Sequence, residues 1–229
     1  METSAAIALN NFFQPFDTAI LTALNGLAEA AGGFFTPVMR IVTMIGEKGL
    51  LFFLLAIFLM LFPRTRKTGV CIFGAVCCGA LLTSVILKEA ICRLRPFEAN
   101  EIFRGFWETV GSPAEDGFSF PSGHVTAAAA GSLALILERG KKYLLPGALY
   151  VGLMCLSRSY LMAHYPSDVL AGALVGSLCA WMAGMIWNRM KKWNQKRCTI
   201  TEKRTDSYER SRLLQRYHRP SGRDDGAHF

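Results

Sequence analysis

The sequence predicts an all-α, integral-membrane bundle of five helices. Two observations support this prediction: charged residues are few, and several long segments carry no charge. Hydrophobic residues make up 52% of the 229 residues and charged residues 18%, below the roughly 25% charged residues usual in soluble domains. The segments 69–87 and 169–188 carry no charge, and His124 is the only ionisable residue in 120–137. Runs of roughly 18 or more such residues can cross a ~30 Å hydrocarbon layer as one helix.

Two shorter uncharged segments complete the predicted set of spans. The segments 49–62 and 143–157 each need their flanking residues to complete a crossing at about 1.5 Å per residue. Beside the three long runs, both are interpreted as spans rather than as buried helices of a soluble domain. The predicted spans are 47–62, 69–90, 121–138, 142–160 and 167–189.

The N-terminal segment, residues 1–46, is mildly apolar and is interrupted by Pro15, Asp17, Gly32-Gly33, Pro37 and Arg40. Apolar residues recur at helical spacing between Ile20 and Ala28, which is typical of an amphipathic helix. The segment either lies on the outer surface of the membrane or forms a sixth crossing. Five crossings place the N-terminus outside and six place it inside, and the sequence leaves both alternatives open.

Basic residues are concentrated within three stretches, 64–67, 139–142 and 189–197. Five consecutive crossings place all three on one side of the cell membrane, which the positive-inside rule identifies as cytoplasmic. Membrane orientation therefore explains the net charge of +8, and no nucleic-acid partner is expected. The membrane domain is predicted to cover 47–190, and 191–229 is predicted to be a cytoplasmic basic tail without stable structure.

Six ionisable residues converge on the outward, periplasmic face under this topology. Charged groups near membrane depth are costly and are therefore candidates for function. Their convergence from separate segments predicts one polar site. The six are Lys88 and Arg95 after the second span, His124 at the start of the third, Arg158 at the end of the fourth, and His164 and Asp168 around the start of the fifth.

The pair Lys88 and Arg95 is predicted to bind an anionic group. The two residues are two helical turns apart, so they are expected to project from one helix face, and Pro96 is expected to end that helix. An arginine fork matches the oxygens of a phosphate. The alternative is that both side chains extend to the lipid headgroups.

The segment from Phe118 to His124 has the pattern of a helix start, with Pro121 in the first turn. Free N–H groups beside Ser122 and Gly123 are expected to form an anion cradle. His124 could donate a proton to a leaving oxygen. The alternative is a capped helix with an incidental histidine.

The last span is predicted to begin at Pro166, which leaves His164 just before the helix and Asp168 in its first turn. The carboxylate could then hold one imidazole nitrogen and leave the other free to attack. The alternative is that Asp168 only favours the helix N-terminus. The seven cysteines lack the CxxC or Cys/His spacing of a zinc site, so no metal is predicted.

Three spaced motifs resemble the signature of the type-2 phosphatidic acid phosphatase superfamily over about residues 45–190. They are Lys88 with Arg95-Pro96, Pro121-Ser122-Gly123-His124, and Ser157-Arg158 with His164 and Asp168. The resemblance implies that His164 is the nucleophile, that Asp168 orients it and that His124 is the general acid. The phosphate-binding residues it implies are Lys88, Arg95, Ser122, Gly123 and Arg158.

This resemblance implies a lipid phosphatase of the outer leaflet that needs no metal or cofactor, because cationic side chains stabilise the transition state. The short chain is similar to bacterial undecaprenyl-diphosphate phosphatases, and phosphatidylglycerophosphate or phosphatidic acid phosphatases are the alternative. Vanadium haloperoxidases share the signature but are soluble, and a non-catalytic lipid-binding protein would not need both histidines. Leu161-Met162-Ala163 replaces a glycine common in relatives, so a narrower or more apolar pocket rim is expected. The oligomeric state is not predicted.

Overall fold

The computed structural model describes residues 2–217, with side chains for residues 2–195. This part of the chain is helical and contains no strand, which confirms the all-α class. Two compact units are distinguished, Met1–Met185 and Ile186–Phe229. The helices are α1 (Ser4–Ala30), α2 (Thr36–Ile45), α3 (Leu50–Leu61), α4 (Arg66–Ala80), α5 (Lys88–Ile91), α6 (Pro96–Ala99), α7 (Glu101–Thr109), α8 (Gly123–Arg139), α9 (Leu144–Tyr160) and α10 (Pro166–Tyr217).

Short irregular turns of helix join several of these elements. A 3₁₀ turn, Glu47–Gly49, connects α2 to α3, and a second, Lys141–Tyr143, precedes α9. A π-helical segment, Leu81–Leu87, continues α4 into α5. α4 and α5 therefore form one long helical stretch that ends next to the predicted site.

Among the described residues, three helical stretches are long and apolar enough to cross a membrane: Thr36–Leu61, Arg66–Ala99 and Pro166–Gln195. The helices α8 and α9 have 17 residues each, or about 25 Å of helix at 1.5 Å per residue. Both are thus a little shorter than a ~30 Å hydrocarbon layer. The count of five or six spans stays a prediction.

The first of these stretches begins earlier than the predicted span 47–62. Pro37 lies in the first turn of α2, where its missing N–H costs no hydrogen bond. Arg40 donates from Nη2 to the carbonyls of Val110 and Gly111 at 2.9 and 2.8 Å. The sequence pattern suggested that Pro37 and Arg40 would interrupt a helix, but neither residue does. The break comes at Lys48-Gly49 instead, where both residues have positive φ.

The predicted N-terminal amphipathic helix is present as α1, which runs through Pro15. Leu21 packs with Phe103 and Met162 in one apolar cluster. Ala28 packs with Tyr160 in another. α1 therefore lies against α7 and against the end of α9, beside the predicted site.

The main apolar core lies between α3, α4, α8 and α10 and is built mostly from small residues. A Cβ atom added at Gly172 would lie 2.6 Å from the Ser122 carbonyl oxygen, and one at Gly176 would lie 2.3 Å from that of Thr126. Only glycine permits this close approach of α10 to α8, as is usual between membrane helices. Large apolar side chains point outward, for example Leu174, which is 73% exposed.

The C-terminal helix extends further than the predicted span 167–189. α10 continues to Tyr217, so 191–217 is helical where a tail without stable structure was expected. Glu, Lys, Arg and Gln, which are frequent there, are good helix formers. Residues 218–229 of the predicted tail lie outside the described residues. The domain boundaries 1–46, 47–190 and 191–229 stay predictions.

Candidate active site

A cavity of about 720 Å³ brings most of the predicted site residues together. Its wall includes the start of α5, the first part of the loop between α7 and α8, the first turn of α8 and the segment between α9 and α10. Arg158 and Asp168 are fully buried immediately behind this wall. Among the residues lining the cavity are Lys88, Arg95, Gly123, His124 and His164.

Lys88 and Arg95 both reach this cavity, although not from one helix face. α5 ends at Ile91, Cys92 has a left-handed backbone, and Arg95 is extended with φ −72° and ψ 157°. The prediction that the two residues share a helix face was therefore wrong, because the chain leaves the helix between them. Their proximity arises from this turn of the chain.

The Arg95 guanidinium is fixed by backbone carbonyls. It donates to the carbonyl oxygens of Asp116, Gly117 and Ala163 at 2.7, 2.9 and 2.8 Å. Its Nη1 also lies 3.2 Å from Glu115 Oε2. Arg95 is only 2% exposed, which excludes extension to the headgroups for this residue.

Arg158 and Glu115 form the second part of the cationic wall. Arg158 Nη2 lies 2.5 Å from Glu115 Oε1, yet none of the three Arg158 guanidinium nitrogens has a hydrogen bond of good geometry within the described side chains. The positive charge of Arg158 is thus paired with the Glu115 carboxylate, although the Arg158 N–H groups do not point at an acceptor among the described side chains. Glu115 was missed in the sequence, where it looks like an ordinary loop acid. The guanidinium groups of Arg95 and Arg158 therefore both pair with the Glu115 carboxylate.

The helix start at Ser122 and Gly123 lies two residues later than predicted. α8 begins at Gly123 with Ser122 at the N-cap, so Pro121 precedes the helix. The Ser122 N–H donates to the Asp168 carbonyl at 3.1 Å, and this tertiary contact fixes the chain before the helix. The first N–H groups of α8, including that of His124, have no acceptor within the helix. The predicted anion cradle is therefore geometrically available.

His164 and Asp168 occupy their predicted positions around the start of α10 at Pro166. Their direct contact is not a hydrogen bond, because Asp168 Oδ2 lies 3.9 Å from His164 Nδ1. The Ser119 hydroxyl lies between them. It donates to Asp168 Oδ2 at 2.5 Å and lies 3.4 Å from His164 Nδ1. Ser119 was missed in the sequence, because the motif predicted there begins at Pro121.

The surroundings of His164 keep its imidazole neutral. Burial is the main cause that holds the pKa of His164 well below 6.5, and the positive charges of Arg95 and Arg158 add to it. A neutral ring has a free nitrogen lone pair near pH 7, as a nucleophile requires. Nδ1 is turned towards Ser119, so Nε2 is the nitrogen left to react.

Within the described residues, no group of three or more His, Cys, Asp or Glu side chains is arranged to hold a metal ion. The predicted independence from metals and cofactors stays a prediction. Two further buried charged residues, Asp17 and Arg93, contact Asp168 or its helix. The sequence motifs did not include them.

The described residues thus form an all-helical fold with helices long enough to cross a membrane and a cavity lined by cationic side chains, as in an integral-membrane protein. Residues 69–193 match the PAP2 superfamily. The match covers more than half of the chain, and the chain therefore belongs to this superfamily.

Two curated relatives and one solved structure illustrate the similarity. The chain is 31% identical over 129 residues to undecaprenyl-diphosphatase of Sulfolobus acidocaldarius, covering 56% of this chain and 59% of the relative. It is 30% identical over 205 residues to phosphatidylglycerophosphatase B of Bacillus subtilis, covering 84% and 93%. The chain spans about half the length of several other curated relatives that it matches.

The crystal structure of the transmembrane PAP2-type phosphatidylglycerolphosphate phosphatase from Bacillus subtilis has a similar fold. Its TM-score is 0.56 at 23% identity, with 82% of this chain and 98% of that chain covered.

Proposed function

We propose that this chain is a metal-independent, integral-membrane phosphatase of lipid phosphates that works through a phosphohistidine on His164. The carrying observation is that the buried His164 lines one cavity with Lys88 and Arg95, and that the buried Arg158 lies behind the same wall. Cations alone would bind an anionic headgroup. A neutral imidazole among them supplies a nucleophile.

In the first step, Lys88, Arg95 and Arg158 hold the phosphoryl oxygens, together with Ser122 and the N–H groups around Gly123. His164 Nε2 attacks phosphorus, and the N–P bond forms as the bond from phosphorus to the leaving oxygen breaks. His124 gives a proton to that oxygen, and the negative phosphate bound beside it favours the protonated imidazole. Charge that develops on the His164 ring is stabilised by Asp168 through Ser119.

In the second step, water attacks the phosphorus and the N–P bond breaks. His124, now neutral, takes the proton of the water, so that each histidine returns to its starting state. The same cations stabilise the negative transition state in both steps. No step requires a metal ion, because the guanidinium and ammonium groups already supply the positive charge.

The substrate we propose is a polyprenyl diphosphate such as undecaprenyl diphosphate, which would lose its terminal phosphate. Phosphatidylglycerophosphate or phosphatidate is an equally supported alternative, since relatives of both kinds match the chain. The cavity combines polar groups with apolar residues such as Met44, Ala127 and Leu161. Such a mixed lining suits a phosphate headgroup attached to a hydrocarbon tail.

We place the site at the outer, periplasmic face and the C-terminal tail in the cytoplasm. The basic stretches 64–67 and 139–142 lie at the start of α4 and the end of α8, and the Lys67–Glu138 ion pair of 2.9 Å joins these two ends. The site lies at the opposite ends of the same helices. The positive-inside rule then supports an outward site.

The test is phosphate release by purified protein from undecaprenyl diphosphate, phosphatidylglycerophosphate, phosphatidate and a soluble phosphomonoester, with excess chelator present. We expect release from at least one lipid and none from the His164→Ala variant. A thermal unfolding midpoint equal to that of the wild type shows that this variant is folded. Release by His164→Ala at a substantial rate would refute the nucleophile, and loss of wild-type activity in chelator with recovery in magnesium would refute metal independence.

A further inference from the structure

Two buried charged residues outside the site motifs, Asp17 and Arg93, lie directly behind Asp168. Asp17 is on α1, outside the segment 69–193 that matches the family. Arg93 lies in the extended stretch between α5 and α6. Both side chains are at most 2% exposed, and buried charges are costly unless they are well paired. Their partners therefore indicate their role.

Each nitrogen of the Arg93 guanidinium donates a hydrogen bond. Nε donates to Asn10 Oδ1 at 2.7 Å, and Nη2 donates to Asp17 Oδ2 at 2.9 Å. Nη1 donates to Asp168 Oδ1 at 2.5 Å, and the Tyr165 ring lies 3.9 Å from Cζ. Nη1 also donates to Ser167 Oγ at 2.8 Å. Two of these four acceptors belong to α1 and two to α10, so the guanidinium joins the two helices at Asp168.

Asp17 also holds the start of α10, the helix that carries Asp168. Its Oδ1 accepts from the Ser167 N–H at 2.8 Å, and its Oδ2 accepts from Ser167 Oγ at 2.7 Å. A carboxylate that binds free N–H groups stabilises a helix N-terminus. Asp17 thus fixes both the backbone that carries Asp168 and the guanidinium that binds it.

We infer that Asp17 and Arg93 are positioning residues for phosphoryl transfer and act on His164 through Asp168. Arg93 takes Oδ1 of Asp168, which leaves Oδ2 for the Ser119 hydroxyl. Ser119 in turn faces Nδ1 of His164. A displacement of about 1 Å in such a chain can lower a rate about 100-fold. The inference rests on the proposed function, because it concerns transfer to His164.

The first test is the Asp17→Asn variant, which keeps the side-chain size and removes the charge that aims Arg93. We expect kcat to fall roughly tenfold or more, with KM nearly unchanged because the phosphate-binding cations are untouched. Glu29→Gln is the matched control on the same helix, since the Glu29 carboxylate binds Asn25 at 2.8 Å. It should keep the wild-type kcat.

A second variant, Arg93→Lys, keeps the charge but loses the fork that joins the two carboxylates. The same loss of kcat at constant KM is expected. The double variant should be no slower than the slower single variant, because both residues act through one Asp168 oxygen.

A wild-type kcat per folded molecule in Asp17→Asn would overturn the inference, and so would an equal loss in Glu29→Gln. A purely structural role would lower the unfolding midpoint and leave kcat per folded molecule unchanged. If Asp17→Asn cannot be purified folded, kcat of Arg93→Lys decides in the same way. Absence of phosphate release by the wild type from every lipid would refute the proposed function itself. Wild-type release with an unaffected Asp17→Asn variant would refute this inference alone.

Discussion

Replacing Ser119 with alanine removes the hydroxyl that links Asp168 to His164. In the wild type, Ser119 Oγ donates to Asp168 Oδ2 at 2.5 Å and lies 3.4 Å from His164 Nδ1. Without this hydroxyl, the only donors left to the Asp168 carboxylate are the Arg93 guanidinium and the Tyr165 N–H, as far as the described side chains show. The remaining gap of 3.9 Å is too long for a direct hydrogen bond to His164.

The expected effect follows from the value of a buried hydrogen bond to a charged group, about 1.5–3 kcal/mol. If this interaction strengthens as charge develops on the imidazole, its loss lowers kcat roughly 10- to 150-fold, since about 1.4 kcal/mol corresponds to tenfold in rate. KM should change little, because Ser119 does not contact the guanidinium groups of Arg95 or Arg158.

Steady-state phosphate release from the best lipid of the panel measures this effect. Ser132→Ala is the matched control, because Ser132 is also a buried serine but lies within α8. It should keep the wild-type kcat. If Ser119→Ala retained kcat within about twofold while both proteins were folded, the assigned link between Asp168 and His164 would be wrong.

Two further predictions concern pH and helix packing. Because the pKa of His164 is held well below 6.5, its protonation should not lower kcat/KM between pH 7.5 and about 6.5, and a decline assigned to His164 should appear only at lower pH. The lowered pKa also affects stability. His164 binds a proton at a higher pH in the unfolded chain than in the folded protein, so the free energy of unfolding decreases as the pH falls below about 6.5. Titration of the His164 ring near pH 6.5 in nuclear magnetic resonance spectra of the folded protein would contradict the lowered pKa. Gly176→Ala places a Cβ atom 2.3 Å from the Thr126 carbonyl oxygen and should destabilise the fold by roughly 1–3 kcal/mol. Gly184→Ala, where nothing lies within 4 Å, is the control in thermal unfolding, and equal midpoints would refute the close packing.

The sequence motifs predicted residues that the fold does bring together. Lys88, Arg95, His124 and His164 share one cavity wall, as the convergence of span ends suggested. The geometric argument for Lys88 and Arg95 failed, because helical spacing assumes a continuous helix and α5 ends at Ile91, before the left-handed Cys92. Local spacing therefore identified the partners without describing how they meet.

The span boundaries show the same limit. Pro37 and Arg40 looked like interruptions, yet one fits the first turn of α2 and the other pairs with distant carbonyls. The helix start at Gly123 was misplaced because the preceding Ser122 is tied to Asp168. Such contacts join residues far apart in the chain, and local propensity does not contain them.

The sequence by itself determined the all-α class and the family signature, and it predicted the site residues. Apolar runs and charge asymmetry are properties of composition and order, so they can be recognised without coordinates. Only the tertiary structure placed Ser119 between Asp168 and His164 and brought Asp17 and Arg93 behind them. These contacts depend on how α1 and α10 approach each other, and that approach is decided by packing and by the pairing of buried charges.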